Sequence, residues 1–410
     1  MRFLHTSDWH LGQILHGYDR VHEHGRFLSW LGNTLVSEKT DALLIAGDIF
    51  DSANPPAACQ KMLYEFLARV RRDLPAIDIV AIAGNHDSAG RLEAPSPLLA
   101  AMGITVIGQT ARQADGQFDL ERMVVPLTAN GKVAAWCLAV PFLRPGDVPR
   151  VEGAEDPYAA GTAALYRQVL DIALAKRQPD QAIVAMGHCH LVGGKVSELS
   201  ERRIVIGGAE AMPADLFGPE IAYVALGHLH LAQSVGSSSR RYSGSPLPLS
   251  FGESDYSHQV ILVELNGSTF KDLREIRVPR TVPMLKVPET ALPVDQAIAA
   301  LELLDLPGAP DEEHPYLEVR VLLDAPTPDL RARIEAALAG KPLRLARIDT
   351  RQVVASGSSA PAAVTLDDLE RLDPADLFSR LYRQKYGDAP PAPLMAALAE
   401  VMNSDAGVAP

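Results

Sequence analysis

A chain of 410 residues can hold two or three domains, each with a core of its own. Apolar residues at 47% and charged residues at 22% exclude a disordered chain, and no apolar run reaches the roughly eighteen residues that a membrane span needs. A net charge of −13 excludes a nucleic-acid binder that works by bulk attraction, so contact with a polyanion must come from a local basic surface, a bound cation or a partner chain.

The first predicted element is a strand that opens directly on Arg2-Phe3-Leu4-His5-Thr6, with no basic-then-apolar leader, and ends at Ser7-Asp8-Trp9-His10. A helical pattern from Glu23 to Ser37 follows, with Phe27, Leu28, Leu31 and Leu35 on one side. The run Ala42-Leu43-Leu44-Ile45-Ala46-Gly47 leads to Asp48. A second helical pattern covers Ala57 to Val70, with Met62, Leu63, Phe66, Leu67 and Val70 apolar. Asp78 to Gly84 then leads to Asn85-His86-Asp87, Ala182 to Gly187 to His188, and Ala222 to Gly227 to His228-Leu229-His230. These short runs, rich in Val, Ile and Leu, read as strands buried on both faces. Their alternation with helices argues for a layered α/β core whose ligands gather beyond the carboxyl ends of the strands. Tyr242-Ser243-Gly244-Ser245-Pro246 is a turn whose hydroxyls and amides could hold a phosphate.

Downstream, 284–287 reads as a strand, 294–304 as a helix, 316–323 as a strand, 328–338 as a helix and 343–353 as a strand, a small α/β domain over 280–353. Residues 354–365, rich in Ala, Ser, Gly and Pro, are a flexible linker by composition. Two helical patterns follow within 366–410, at 366–386 and 393–402. Leu369, Leu372, Leu377, Leu381 and Tyr382 give them an apolar side with few local partners, which predicts a docking element for another protein.

Seven polar residues thus stand just past buried strands: Asp8, His10, Asp48, Asn85, His188, His228 and His230. Two carboxylates, an amide and several imidazoles can surround a pair of divalent cations, one carboxylate bridging ions about 3.5–4 Å apart. The i, i+2 spacing of Asp8 with His10, and of His228 with His230, lets both members of a pair face one side. His188 and His190 compete for one position, and the parallel between Gly187-His188 and Gly227-His228 favours His188. His5 reads as a packed histidine; His16, His22, His24, His258 and His314 have no such placement. The three cysteines, Cys59, Cys137 and Cys189, are too scattered for a disulfide framework, and a reducing, cytoplasmic compartment is expected. Oxygen and imidazole donors suit Mn²⁺, Fe²⁺ or Zn²⁺ rather than a thiolate zinc site. The basic groups 69–72, Arg202-Arg203 and Arg240-Arg241 read as solvated surface.

His5-Thr6-Ser7-Asp8-Trp9-His10-Leu11-Gly12, Gly47-Asp48-Ile49-Phe50-Asp51, Gly84-Asn85-His86-Asp87 and Gly227-His228-Leu229-His230 resemble the signature motifs of the calcineurin-like metallophosphoesterases. The opening motif and the stretch from Tyr242 to Phe251 are similar to the SbcD branch, the nuclease subunits of bacterial SbcCD complexes. Cys189-His190 after His188 departs from that pattern. The resemblance spans the chain and implies two mixed sheets flanked by helices (1–275), a small α/β capping domain (280–353) and C-terminal helices. It implies one Mn²⁺ on Asp8, His10, Asp48 and His230, and another on Asp48, Asn85, His188 and His228. His86 would act on the leaving oxygen, with Asp51 orienting its ring. It further implies cleavage of DNA ends, single strands and hairpins in DNA repair and recombination. The partner would be an SbcC-type ABC ATPase with a coiled coil, in a heterotetramer containing a homodimer of this chain. Competing expectations are a small-molecule or cyclic-nucleotide phosphodiesterase on the same cage, and a non-catalytic scaffold for DNA ends.

Overall fold

The computed structural model describes residues 1–195, 211–325 and 327–352, together with positions 378, 382, 390, 391, 394 and 395. Met1–Arg351 forms one compact unit and Gln352–Pro410 a second. The expected linker, the docking helices and Arg202-Arg203 therefore lie outside the described residues, apart from those isolated positions. Of these, Phe378 and Tyr382 are helical, with ring centroids 6.1 Å apart.

Two six-stranded mixed sheets face each other. The first runs Thr269–Arg277, Gln259–Asn266, Arg2–Thr6, Ala42–Ala46, Asp78–Ile82, Ile104–Ile107; the last four strands are parallel and the first two form an antiparallel hairpin on the edge. The second runs Gln233–Val235, Ser237–Tyr242, Tyr223–Gly227, Ala182–His188, Lys132–Ala139, Val124–Ala129, with its middle four strands parallel. Ala42–Ala46 shows why such runs are continuously apolar. Ala42, Leu44 and Ala46 belong to the core between the sheets, whereas Leu43 and Ile45 belong to the core under the helices Val21–Ser37 and Ala57–Asp73. Trp9 sits at the centre of that second core, its ring 5.6 Å from both Phe27 and Phe66. On the far side of the second sheet lies the helix Pro157–Lys176, started by Asp156, whose carboxylate accepts from the main-chain N–H of Tyr158 and Ala159. Leu165, Val169 and Ala173 bury its inner side.

A three-stranded sheet (Met284–Pro293, Tyr316–Leu323, Arg344–Gln352) carries the helices Val294–Glu302 and Leu330–Ala337 over a core containing Leu301, Val319, Val321 and Ile334. The edge strand of the first sheet ends at Arg277 and the small sheet begins at Met284. The small sheet is nevertheless part of the same compact unit, because Tyr316 packs in one cluster with Leu15, Phe251 and Val282. No helix among the described residues is long and apolar enough to cross a membrane.

Parallel pairing brings the functional ends together. Thr6 pairs with Ile45, Ala46 with Ile82, and Gly227 with His188, so each sheet delivers its strand ends at one edge. The pairing continues past the first strand: Asp8 N–H donates to Gly47 O and His10 N–H to Asp48 O, each at 3.0 Å.

Candidate metal centre

Four of the seven expected ligands occupy left-handed backbone, with φ of 54° at Asp8, 47° at His10, 47° at Asp48 and 103° at His228. Residues with a Cβ avoid this region, at a cost of order 1–3 kcal/mol each, and four in one cluster mark a site held against local preference. Glycine makes the approach possible. A Cβ on Gly84 would lie inside the contact distance of the Asp48 main-chain nitrogen and carboxylate, and one on Gly47 would enter the His188 ring. The glycine before each polar residue is therefore what lets neighbouring strand ends close on one point.

The ring nitrogens follow a consistent rule. His188 Nδ1–H donates to Ala46 O at 2.8 Å, which turns Nε2 toward Asp48 Oδ2 at 3.3 Å and Asn85 Oδ1 at 3.0 Å. His228 Nδ1 lies 3.0 Å from the same Asn85 oxygen. His10 Nδ1–H donates to Asp51 Oδ1 at 3.1 Å; its Nε2, buried and without a hydrogen-bond partner, lies 3.7 Å from Asp48 Oδ2. His230 Nδ1–H donates to Glu253 Oε1 at 2.8 Å. Asp8, His10 and His230 each bring one ligand atom within 4.8 Å of the others, as do Asp8, Asp48 and His188. In His188 and His10 an acceptor on Nδ1 fixes the ring so that Nε2 faces a carboxylate or amide oxygen, an arrangement that, with the ring neutral, sets acceptor against acceptor. Divalent cations satisfy that arrangement, and an acceptor on the far nitrogen is how metal-binding imidazoles are oriented.

The electrostatics agree. Burial works against a charged His188, but Asp48 and then Asp8 outweigh it and raise the ring to about 9. Burial likewise opposes ionisation of Asp48, which His188, His10 and His86 nonetheless drive well below the usual carboxylate range. Burial, reinforced by His188, pushes His228 down to about 3. The carboxylates that favour charge on the His188 ring would equally favour bound cations, and at such a site metal competes with protons.

His86 and Asp51 lie together beside the cage. The His86 main-chain N–H donates to Asp48 Oδ1 at 2.8 Å, and its ring meets His10 edge-on at 4.9 Å. The ring is held by the main-chain carbonyl of Asp51, which accepts from Nδ1–H at 2.9 Å, whereas the Asp51 carboxylate serves His10. The reason is geometric: Asp51 follows a strand end that runs beside His10, with Asp51 N–H donating to Leu11 O. His86 also brings a ring nitrogen within 4.8 Å of ligand atoms of His10 and Asp48. His190 Nε2 lies 3.4 Å from Gly194 O, and Cys189 is a half-buried thiol that desolvation pushes up to about 12. The 242–246 turn is used internally: Ser243 Oγ lies 2.7 Å from Ser7 Oγ, which itself donates to Asp8 Oδ2.

Two acidic residues to which the sequence reading assigns no role complete the site. Asp87 is buried and accepts from the main-chain N–H of Ile49, Phe50 and Gly84, tying the Asp48 and Asn85 loops together. Its position beside Asn85-His86 is visible in the sequence; the donors it meets are not. Glu253, fully buried, belongs to the segment after Phe251 and carries no local signal.

A calcineurin-like phosphoesterase family model matches residues 1–232, and the SbcD C-terminal domain model, described as the type 5 capsule protein repressor C-terminal domain, matches 280–386. The D subunit of the SbcCD nuclease of Rhodobacter capsulatus is 42% identical over 388 residues, covering 93% of this chain and 94% of that protein. The protein of the same description from Escherichia coli K12 is 31% identical over 353 residues, 84% of each chain. That of Bacillus subtilis is 35% identical over 289 residues, 70% of this chain and 72% of its own. With a site of this composition at the edge of this fold, the chain belongs to the calcineurin-like phosphoesterases, in the family of SbcCD nuclease D subunits, and is a metal-dependent phosphodiesterase.

Proposed function

We propose that this protein is a Mn²⁺-dependent DNA nuclease that cleaves DNA ends, single strands and hairpins in the cytoplasm, serving DNA repair and recombination together with an SbcC-type ATPase. The observation that carries the reading is the convergence of imidazole lone pairs on Asp48 and Asn85, with the His86 ring beside them. Two divalent cations, one on Asp8, His10, Asp48 and His230 and one on Asp48, Asn85, His188 and His228, would supply the charge that acidifies an attacking water and offsets charge on the phosphoryl oxygens.

The chain's own groups do the rest. Asp48 is shared by both ligand sets, and its Oδ1 accepts from His86 N–H, so the His86 main chain is fixed relative to the shared carboxylate. With Nδ1–H committed to Asp51 O, a proton taken up by the His86 ring sits on Nε2, and the imidazolium gives it to the departing sugar oxygen, leaving the neutral ring. His86 and Asp51 are thus assigned to leaving-group protonation and its positioning, and Asp51 additionally to fixing His10. The name of the relatives supports a two-component complex, and the C-terminal segment 366–410 is assigned to docking the coiled coil of the ATPase, in a heterotetramer built on a homodimer of this chain. Residues 280–353 act as the cap over the nuclease body.

The test is cleavage of hairpin-ended DNA by the purified chain with the ATPase, ATP and Mn²⁺, with His86→Gln as control. Cleavage that requires Mn²⁺ and is lost in the variant is expected. No cleavage in the complete mixture, beside brisk hydrolysis of a small phosphodiester, overturns the nuclease assignment in favour of a small substrate.

A further inference from the structure

Glu253 lies outside every motif, yet it is fully buried and uses both carboxylate oxygens. Oε1 accepts from His230 Nδ1–H at 2.8 Å and Oε2 from Leu249 N–H at 2.7 Å. The segment that carries it is fastened in turn. Arg20, 2% exposed, donates through Nη1 to Pro248 O at 2.6 Å and to Gln13 Oε1 at 3.0 Å, and Gln13 Nε2–H donates to Leu249 O at 3.2 Å. The other guanidinium nitrogens of Arg20 form a forked pair with Glu23, both bonds at 2.7 Å. Glu23 Oε1 also accepts from Tyr316 OH at 3.0 Å, and Tyr316 OH accepts from Arg344 Nη1–H at 3.0 Å. Tyr316 and Arg344 belong to the three-stranded sheet. An apolar contact set runs alongside, because Phe251, two residues before Glu253, shares a cluster with Tyr316 and Val282.

A hydrogen-bonded path therefore leads from the small sheet to the ring of one expected metal ligand. Its central links, Arg20 to Glu23 and Glu253 to His230, are bidentate or engage a charged carboxylate, the geometry that fixes orientation most sharply. We propose that Glu253 is a positioning residue for His230, holding its Nε2 toward the metal, and that the seat of Glu253 is completed by the small sheet through Arg20, Glu23 and Tyr316. This rests on the metal-centre reading. The small sheet then contributes to cation affinity at a site none of its residues touches, and it does so selectively, for the cation held by Asp8, His10, Asp48 and His230.

The experiment measures Mn²⁺ binding to the full-length protein by calorimetry, alongside thermal melting without metal, for wild type, Glu253→Gln and Tyr316→Phe. Glutamine keeps the volume, but its amide presents a donor to one of the two N–H groups the carboxylate satisfied. Glu253→Gln should weaken one of two Mn²⁺ sites by about 10–100-fold and leave the other unchanged, the usual cost of losing an orienting partner. Tyr316→Phe removes a single hydroxyl at the far end and keeps the ring in its cluster, and the melt without metal reads any loss of stability separately. It should weaken the same site by about two- to tenfold, the fold-change that one ordinary hydrogen bond converts to. Two wild-type-like sites in Glu253→Gln overturn the role of Glu253. A selective loss in Glu253→Gln with none in Tyr316→Phe overturns the contribution of the small sheet. Equal weakening of both sites in Glu253→Gln overturns the selectivity for His230. Wild type that binds no Mn²⁺ overturns the metal-centre reading instead, which keeps the two failures apart.

Discussion

Gly84→Ala adds one methyl group about 2.7 Å from Asp48 Cγ, and closer still to the Asp48 main-chain nitrogen and one carboxylate oxygen. The carboxylate can rotate, but the main-chain nitrogen cannot retreat without opening the parallel pairing that joins Ala46 to Ile82. Overpacking of this kind costs about 1–3 kcal/mol of stability. Its larger effect falls on the site, since Asp48 is shared by both ligand sets and is also held by His86 N–H at 2.8 Å. Disturbing the orientation of such a ligand costs about 10–100-fold in metal affinity, and the upper end is taken here. At a Mn²⁺ concentration 100 times the wild-type dissociation constant, one bound ion stabilises the fold by about 2.7 kcal/mol; 100-fold weaker binding leaves about 0.4 kcal/mol. The assay is urea unfolding with EDTA and with Mn²⁺. The wild type should gain strongly on adding metal, and Gly84→Ala hardly at all. A Gly84→Ala protein with wild-type apo stability and the full metal-dependent gain would refute the argument that a missing Cβ is what lets the two loops close.

Other perturbations separate the roles. His86→Gln should keep its bound Mn²⁺ yet lose cleavage by about 10²–10⁴-fold, whereas Asp48→Ala should lose metal as well; equal metal content and equal activity in the two proteins contradict the assignment. His5 and His24 are both held near 3, by burial first, then opposed at His5 by its bond to Leu226 O and assisted at His24 by Arg20. Their folded values lie below the unfolded value of 6.5, so the unfolded chain binds more protons between the two. Stability is complete above about pH 6.5 and falls as pH drops toward 3, by about 2 kcal/mol per histidine between pH 7 and 5. Denaturation in EDTA at both pH values checks this, and His24→Gln should remove one histidine's share of the loss. Removing residues 366–410 should abolish binding to the ATPase while leaving Mn²⁺ affinity unchanged, since none of the expected ligands lies there; full-affinity binding of the shortened chain contradicts the docking role.

Much of this site is written locally. A short apolar run, a glycine and a ligand type recur at Asp48, Asn85, His188 and His228, and burial between two cores accounts for the continuous hydrophobicity of Ala42–Ala46. The two long helices before Ile77 are equally legible, because each packs a single apolar stripe on one sheet. Pro157–Lys176 is less legible: its buried face, with Leu165, Tyr166, Val169 and Ala173, packs on the second sheet, but Ala163 and Ala175 are exposed and Ala164, Ile172 and Leu174 half-buried, so apolar residues spread around the axis.

What strand periodicity cannot carry is the identity of the atom each ligand's far side meets. That depends on chain segments far apart in sequence, as with Ala46 O behind His188, the Asp51 carboxylate behind His10, and Glu253 behind His230. Asp51 is a case in point: expected to orient His86, it meets that ring through its main-chain carbonyl, while its carboxylate meets His10. Sequence alone thus determined which residues converge, because their neighbours dictate that strands end there. Only the tertiary structure decided how each is oriented, because orientation is set by hydrogen-bond acceptors that packing brings in from elsewhere.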